Sequence, residues 1–449
     1  MKNKVIWQGL VVLVAFAMVL SACSPAASTT QAPQPTTAAV QPTQAPVQPT
    51  TAPTAAAPAA TAAPTAAAPA ATTAPAAGGS NYTFGILLVG PANDSGWSQA
   101  NYEGAQYAAN KLGAKLVYVD KANTSDRPGT TVSQLAESLV SQGAKLVIFS
   151  SDDMKDGVLE FSKAHPDIPV IFSSGDYAWK DGKDYQNLPN VADVMPQMEY
   201  TKMIAGCAAA LTTKTGKIGY VGPLINDETR RFVDSAYLGA KYCWTNYLKK
   251  NPADLTFKVT WIGFWFNIPG VTSNPTQVSD DFINQGYDVL MSGLDTTEDV
   301  VEAGKAAASG KKVWAVGYDY PGNCSPAPSV CLGVPYFNWG PSYTTMIQTA
   351  ISGAFKPDWI WAPPDWKDIN NKDTTGAGFE KGQALSADAS ASVDKFIAEL
   401  AGGLNLWKGP INLQDKSVYL KDGEVATSQQ IWYMPQLLEG MQGQSVPSK

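Results

Sequence analysis

The chain has 449 residues and a formal net charge of -7, from 32 Lys and Arg against 39 Asp and Glu; 45% of its residues are hydrophobic and 16% charged. The charges are spread without a basic block, so the positive footprint that nucleic-acid binding needs is missing. His165 is the only histidine, and no Gly-x-Ser-x-Gly elbow, Walker loop or His-bearing metal motif occurs, which argues against catalytic chemistry, a cofactor or a zinc site.

In chain order, Lys2 and Lys4 precede the apolar run Val5–Leu20, and Leu20-Ser21-Ala22-Cys23 follows it. A basic start, a short apolar core and small residues make 1–22 a secretory signal. The run is shorter than the roughly 20 residues of a spanning helix. Leu-Ser-Ala-Cys resembles a bacterial lipobox, so Cys23 is expected to carry lipid and to anchor the protein to a membrane outside the cytoplasm. Residues 24–79 are almost wholly Ala, Pro, Thr, Gln, Val and Ser and carry no charge. Such a composition builds no core and stays extended, so 23–80 reads as an anchor cysteine and a disordered linker. The folded part then begins at 81, and its length suits two domains.

From Tyr82 the pattern is βα repeated. Strands are expected at Tyr82–Val89, Lys115–Val119, Ala144–Phe149 and Val170–Phe172, with helices at Ser98–Leu112, from Val132, and at Gly157–Ala164. The rhythm restarts with a helix over 197–213 and continues through strands near 217–221, 257–262, 289–291 and 312–316, helices between them, and a last helix around 341–353. A loop-rich, Trp-heavy tail follows. Short apolar strands alternating with helices predict an α/β fold of two doubly wound parallel sheets. Four cysteines besides Cys23 suit an oxidising compartment. Cys324 and Cys331 are expected to staple the proline-rich stretch between them, and Cys207 with Cys243 to tie two helices.

In open α/β sheets ligands meet the loops at the carboxyl ends of strands. Asn93, Asp94 and Trp97 follow the first strand and offer amide, carboxylate and a flat apolar face; the alternative is a turn and helix cap with Trp97 merely packed. Ser174 and Gly175 follow the fourth strand. Three consecutive aromatics, Phe264-Trp265-Phe266, follow the strand at 257–262, and all three cannot face one core. Gly293 and Asp295 follow the strand at 289–291, Asp319 follows 312–316, and Asn338 and Trp339 close the series. The carboxylates also admit a glycosidase-like acid pair, but their recurrence at strand ends suits binding equally well. His165, in His-Pro-Asp, reads as a helix end and turn.

Taken together, Gly96-Trp97, Tyr102-Glu103-Gly104, His165-Pro166-Asp167 and Ser174-Gly175-Asp176-Tyr177 resemble the basic membrane protein family of ABC-transporter substrate-binding lipoproteins. So do Gly216–Gly222, Ile283–Val289, Ala315–Asp319, Asn338–Pro341 and Trp407–Ile411. The likeness runs in order from about 82 to 441. It implies a type I periplasmic-binding fold whose two lobes close on a small solute and present it to a membrane permease. The late return of the chain that such folds make implies a first lobe of 81–195 plus 331–355 and a second of 196–330 plus 356–449. Members of the family bind purine nucleosides, with the base between aromatic rings and the ribose on an aspartate. On that pattern Trp97 is one stacking ring, Trp265 or Phe264 the other, Asn93 and Asp94 first-loop contacts, Asp319 the ribose carboxylate and Gly293 a close backbone approach. Two departures stand out: Ser174 occupies the place of an aspartate, and Asn338 and Trp339 that of a lysine. The expected solute is therefore a nucleoside or a related cyclic metabolite. A sugar-binding protein, a ligand sensor of the same fold, and an adhesion or structural lipoprotein are the alternatives.

Overall fold

The computed structural model describes residues 81–447. The segments expected as a signal (1–22) and as an anchor cysteine, Cys23, with its linker (23–80) lie outside the described residues.

The first lobe is built on a parallel six-stranded sheet: β1 (Thr83–Leu87), β2 (Lys115–Val119), β3 (Val147–Phe149), β4 (Val170–Ser173), β5 (Val191–Pro196) and β11 (Trp359–Ala362), in the order β11-β5-β4-β3-β1-β2. Its inner strands are short runs such as Val-Ile-Phe, buried throughout. That is the pattern of a sheet covered on both faces. The flanking helices are α1 (Trp97–Leu112), α2 (Val132–Ser141), α3 (Lys155–Ala164) and α8 (Gly340–Ile351). Close packing rests on small residues: a Cβ on Gly104 of α1 would lie 2.6 Å from Cβ of Trp339 at the start of α8.

The second lobe has seven strands: β6 (Lys217–Gly222), β7 (Thr256–Trp261), β8 (Val289–Ser292), β9 (Trp314–Val316), β10 (Cys331–Phe337), β12 (Ala377–Lys381) and β15 (Met441–Gln442). Their order is β12-β10-β9-β8-β6-β7-β15, and β12 runs antiparallel to β10. Helices α4 (Met198–Thr212), α5 (Asp227–Asn246), α6 (Pro275–Asn284), α7 (Glu298–Ala308) and α9 (Ala387–Ala401) belong to this lobe. In α4 and α5 the glycines bring two backbones together: a Cβ on Gly206 would meet the Ala236 carbonyl at 1.9 Å. Across that contact Cys207 and Cys243 form a disulfide, and Cys324 and Cys331 form the second.

Two differences from the sequence expectation concern the chain's return. Residues 331–337, expected in the first lobe, form β10 in the second sheet, because they continue hydrogen bonding beside β9 and β12. Residues 359–362, expected in the second lobe, form β11 at the edge of the first sheet, paired with β5. The lobes are thus joined at 196–198, 337–340 and 362–377. The tail is also less loop-like than composition suggests, since it holds β11, β12, the 15-residue α9 and a short hairpin of β13 (Ile411–Asn412) and β14 (Val418–Leu420). Strand β5 escapes a hydrophobicity reading because Asp193 interrupts it. That side chain is fully buried and accepts a hydrogen bond from the Ala178 amide.

Candidate functional site

The carboxyl ends of six strands converge on one narrow cavity of about 10 Å³ between the lobes. Trp97 after β1, Ser151 and Asp152 after β3, and Ser174 after β4 form the wall of the first lobe. Glu228 after β6, Trp265 after β7 and Asp295 after β8 form the wall of the second. This is where the doubly wound architecture delivers loop side chains. Of the residues named from sequence, Trp97, Ser174, Trp265 and Asp295 meet here.

Trp97 is held rather than free. Its indole Nε1 donates to the Ser150 carbonyl, and its ring meets Phe337 and Trp339 edge-on at centroid distances of 5.0 and 5.3 Å. A ring fixed on two edges by neighbours presents its remaining surface to the cavity at little entropic cost. Ser174 takes a left-handed backbone, φ 68°, as do Ser95 and Asp319 beside the cleft. Side chains other than glycine pay for that conformation, and such residues gather at binding sites. Ser174 Oγ is buried and has no hydrogen-bond partner among the described residues.

The lobes touch around the cavity. Asn323 Nδ2 donates to the Ser95 carbonyl at 3.0 Å, and the Tyr320 hydroxyl to Glu103 Oε1 at 2.9 Å. Gly96 lies so close to the Asp295 backbone that a Cβ there would sit 1.8 Å from its carbonyl oxygen.

Electrostatically the cavity is acidic. Burial, then the charges of Asp319, Asp94 and Glu228, push the Asp295 carboxyl well above the usual range. Burial pushes Glu228 up to about 7, against the opposing pull of Arg231. Burial also raises Asp152, with Lys155 pulling the other way. Desolvation dominates each case, because a charged carboxylate loses water that nothing replaces.

The other sequence-named residues sit elsewhere. Asp94 accepts hydrogen bonds from the amides of Gly96, Ser98 and Gln99 at 2.8 to 3.0 Å, so its carboxylate closes the turn into α1. Asn93 is exposed outside the cavity wall. A Cβ on Gly175 would strike the Phe172 ring, and one on Gly293 the Tyr220 ring; both glycines serve packing. Asp319 is fully buried, its carboxylate lacks a hydrogen-bond partner among the described residues, and it does not line the cavity. The nearby Lys202 ammonium pulls its pKa down while burial drives it well up. Asn338 and Trp339 line a separate open groove near the crossovers, where Asn338 Nδ2 bonds the carbonyls of Lys372 and Thr375. Sequence reasoning passed over Ser151, Asp152 and Glu228. Ser151 and Asp152 follow β3 directly and Glu228 opens the helix after β6, so the strand-end rule applied at every strand would have found them.

The resemblances of the chain to known proteins fit this geometry. A purine-binding protein of Brucella abortus is 25% identical over 353 residues, covering 77% of this chain and 88% of that one. A putative ABC transporter glucose-binding protein of Haloferax volcanii is 24% identical over 277 residues, 61% of this chain and 62% of that one. A solved solute-binding protein of an ABC transporter system from Aeropyrum pernix superposes with a TM-score of 0.56 at 14% identity, over 74% of this chain and 93% of that one, a likeness of fold. The family model described as "ABC transporter substrate-binding protein PnrA-like" matches residues 82–355, more than half of the sequence, from β1 through α8. With both cavity walls inside that span, the chain belongs to the Bmp family of PnrA-like ABC transporter substrate-binding proteins.

Proposed function

We propose that the interlobe cavity captures one small cyclic solute of the nucleobase or nucleoside class, laid against Trp97 and Trp265 and hydrogen-bonded by Ser174, Glu228 and Asp295. Family membership makes the chain an extracytoplasmic solute-binding component of an ABC importer, a binding protein and not an enzyme. The observation that carries the ligand reading is the meeting of two indoles and an orphaned buried hydroxyl in one gap. Aromatic faces take a ring, and unpartnered polar groups select its edges. The gap is far smaller than the roughly 300 Å³ at which pockets for drug-sized ligands begin, so the lobes must part to admit a ring. The Brucella abortus relative is named a purine-binding protein.

Solute docks on one lobe and the other closes over it by a hinge at the three crossovers. Closure removes water from the stacked faces and strengthens the polar contacts. The closed form is the state a permease reads. Cys23 with its attached lipid and the linker 24–80 tether the lobes to the membrane.

Calorimetry of the full chain against nucleobases, nucleosides and monosaccharides tests this reading. Binding of a base or nucleoside, weakened roughly tenfold or more by Trp97→Ala without unfolding, is the expected outcome. Carboxylates beside indoles also suit a monosaccharide, and the Haloferax volcanii relative is named as glucose-binding. Competition by sugars alone selects that second reading. No saturable binding by any member of the panel removes both.

A further inference from the structure

We infer that the solute carries a positive charge, so that the cavity recognises a cationic nitrogen heterocycle. The inference rests on the interlobe cavity being the solute site, as proposed above.

Acidic groups predominate around the cavity. Asp152, Glu228 and Asp295 line the cavity, and the charges of Asp94 and Asp319 act on Asp295 from close by. Positive groups in reach are already engaged. Arg231 Nε bonds Glu199 Oε1 at 2.8 Å, and its Nη2 lies 3.9 Å from Glu228 Oε2, so one guanidinium serves two glutamates. Lys202 Nζ donates to the Ser292 carbonyl at 2.8 Å, rests 3.2 Å from the Tyr318 ring centroid, and feels both Asp319 and Asp299. Lys155 is exposed. The carboxyl groups therefore outnumber the cations that could neutralise them, and burial favours their protonated form until a cationic guest stabilises the charge.

A second, independent feature points to a guest. Asp295 is 4% exposed, faces the cavity, and no donor among the described residues bonds its carboxylate; Ser174 Oγ, in a residue 6% exposed, is likewise unpartnered. Groups buried this deeply cost free energy unless something pairs with them. Among the described residues no group of three or more His, Cys, Asp or Glu is placed to hold a metal ion. The carboxylates are not gathered for one small cation, and they stand on both walls of the gap between the lobes. An indole in each wall, Trp97 and Trp265, completes the arrangement, because aromatic faces attract cations and neutral rings alike, and carboxylates attract only the former or strong donors. Such a box discriminates against anionic guests such as nucleotides by repulsion.

The test uses a closely related pair, 1-methylnicotinamide with its fixed positive charge and neutral nicotinamide, which differ by one N-methyl group, with inosine as a neutral purine nucleoside. Each is titrated calorimetrically into the full chain and into the Asp295→Asn and Glu228→Gln variants, with circular dichroism to establish that both variants fold. The charged member is expected to bind roughly tenfold or more tightly than its neutral partner, and the preference to shrink in both variants. Equal or tighter binding of nicotinamide or inosine overturns the charge inference and leaves the cavity as the solute site. A charge preference untouched by either substitution overturns it too, by locating the cation elsewhere. Binding of none of the three overturns it as well, and the panel of bases, nucleosides and sugars then decides separately whether the cavity reading stands.

Discussion

Glu228 sits at the first turn of α5 with 8% of its surface exposed, and burial holds its carboxyl near 7 rather than the ordinary 4.5. The sign of the consequence follows from proton counting. Between about 4.5 and about 7 the folded protein keeps a proton on Glu228 that the unfolded chain has lost, so stability falls as pH rises through that window. The full effect is about 3 kcal/mol at most, present as stabilisation below 4.5 and gone above 7. Glu228→Gln cannot titrate. The stability difference between wild type and this variant, from denaturant midpoints of the ligand-free protein, should therefore shift against the wild type between pH 5 and pH 8. A pH-independent difference would mean that Arg231 compensates the charge fully. At the same scale, the contrast between Asp94 and Asp295 shows what a residue list hides. Both follow strands and both are acidic, yet one spends its oxygens on three backbone amides and the other has none to accept from. Nothing in the sequence separates them, since the difference lies in which way each loop turns.

At the scale of elements, most strands and helices were legible because their apolar runs are short, continuous and separated by polar turns. The run Lys115–Val119 coincides with β2, and helix α1 starts within a residue of its expected position. What was not legible depends on partners distant in sequence. Strand β5 contains a buried aspartate that accepts one hydrogen bond, from the Ala178 amide, and β10 and β11 find their sheets only through pairing with β9, β12 and β5. Four of the cavity residues could be named from strand ends. Asn338 could not be placed, because the strand before it belongs to the other sheet. The junction of β1 with α1 yields a prediction. The side chain of Gly96→Ala would bring its Cβ 1.8 Å from the Asp295 carbonyl of the opposite lobe. The lobes must then stand apart. Affinity for the solute should fall roughly tenfold or more while the secondary structure by circular dichroism is retained. Unchanged affinity would show that the lobes need not approach this closely to hold the guest.

At the scale of the molecule, the tail beyond the family-matched span supplies a fourth link between the lobes. Met434, Leu437, Leu438 and Met441 belong to the core of the second lobe, and β15 pairs with β7. Trp432 and Tyr433, immediately before them, are buried in the core of the first. There Tyr433 stacks on Trp179 with an interplanar angle of 6°, and the Arg231 guanidinium lies 4.2 Å from the Trp432 ring centroid. The Tyr433 hydroxyl donates to Asp176 Oδ2 and accepts from the Lys183 amide at 2.6 Å. Both aromatics also line the open approach that shares Asp152, Ser174 and Glu228 with the cavity. A segment anchored in one lobe and bonded into the other at that opening biases the hinge towards closure before any solute arrives. Tyr433→Phe keeps the stacking and removes the hydroxyl, leaving a buried carboxylate oxygen and an amide without their partner, at a cost of about 1–3 kcal/mol. Because those bonds exist only while tail and first lobe are docked, the cost falls on the closed form and shifts the population towards the open one. Small-angle scattering of the ligand-free variant should give a larger radius of gyration than the wild type, and saturating solute should bring the two together. Affinity should fall by the same free energy, since the binding-competent fraction is smaller. Identical scattering and identical affinity would make the tail a cladding of the second lobe with no hold on the first.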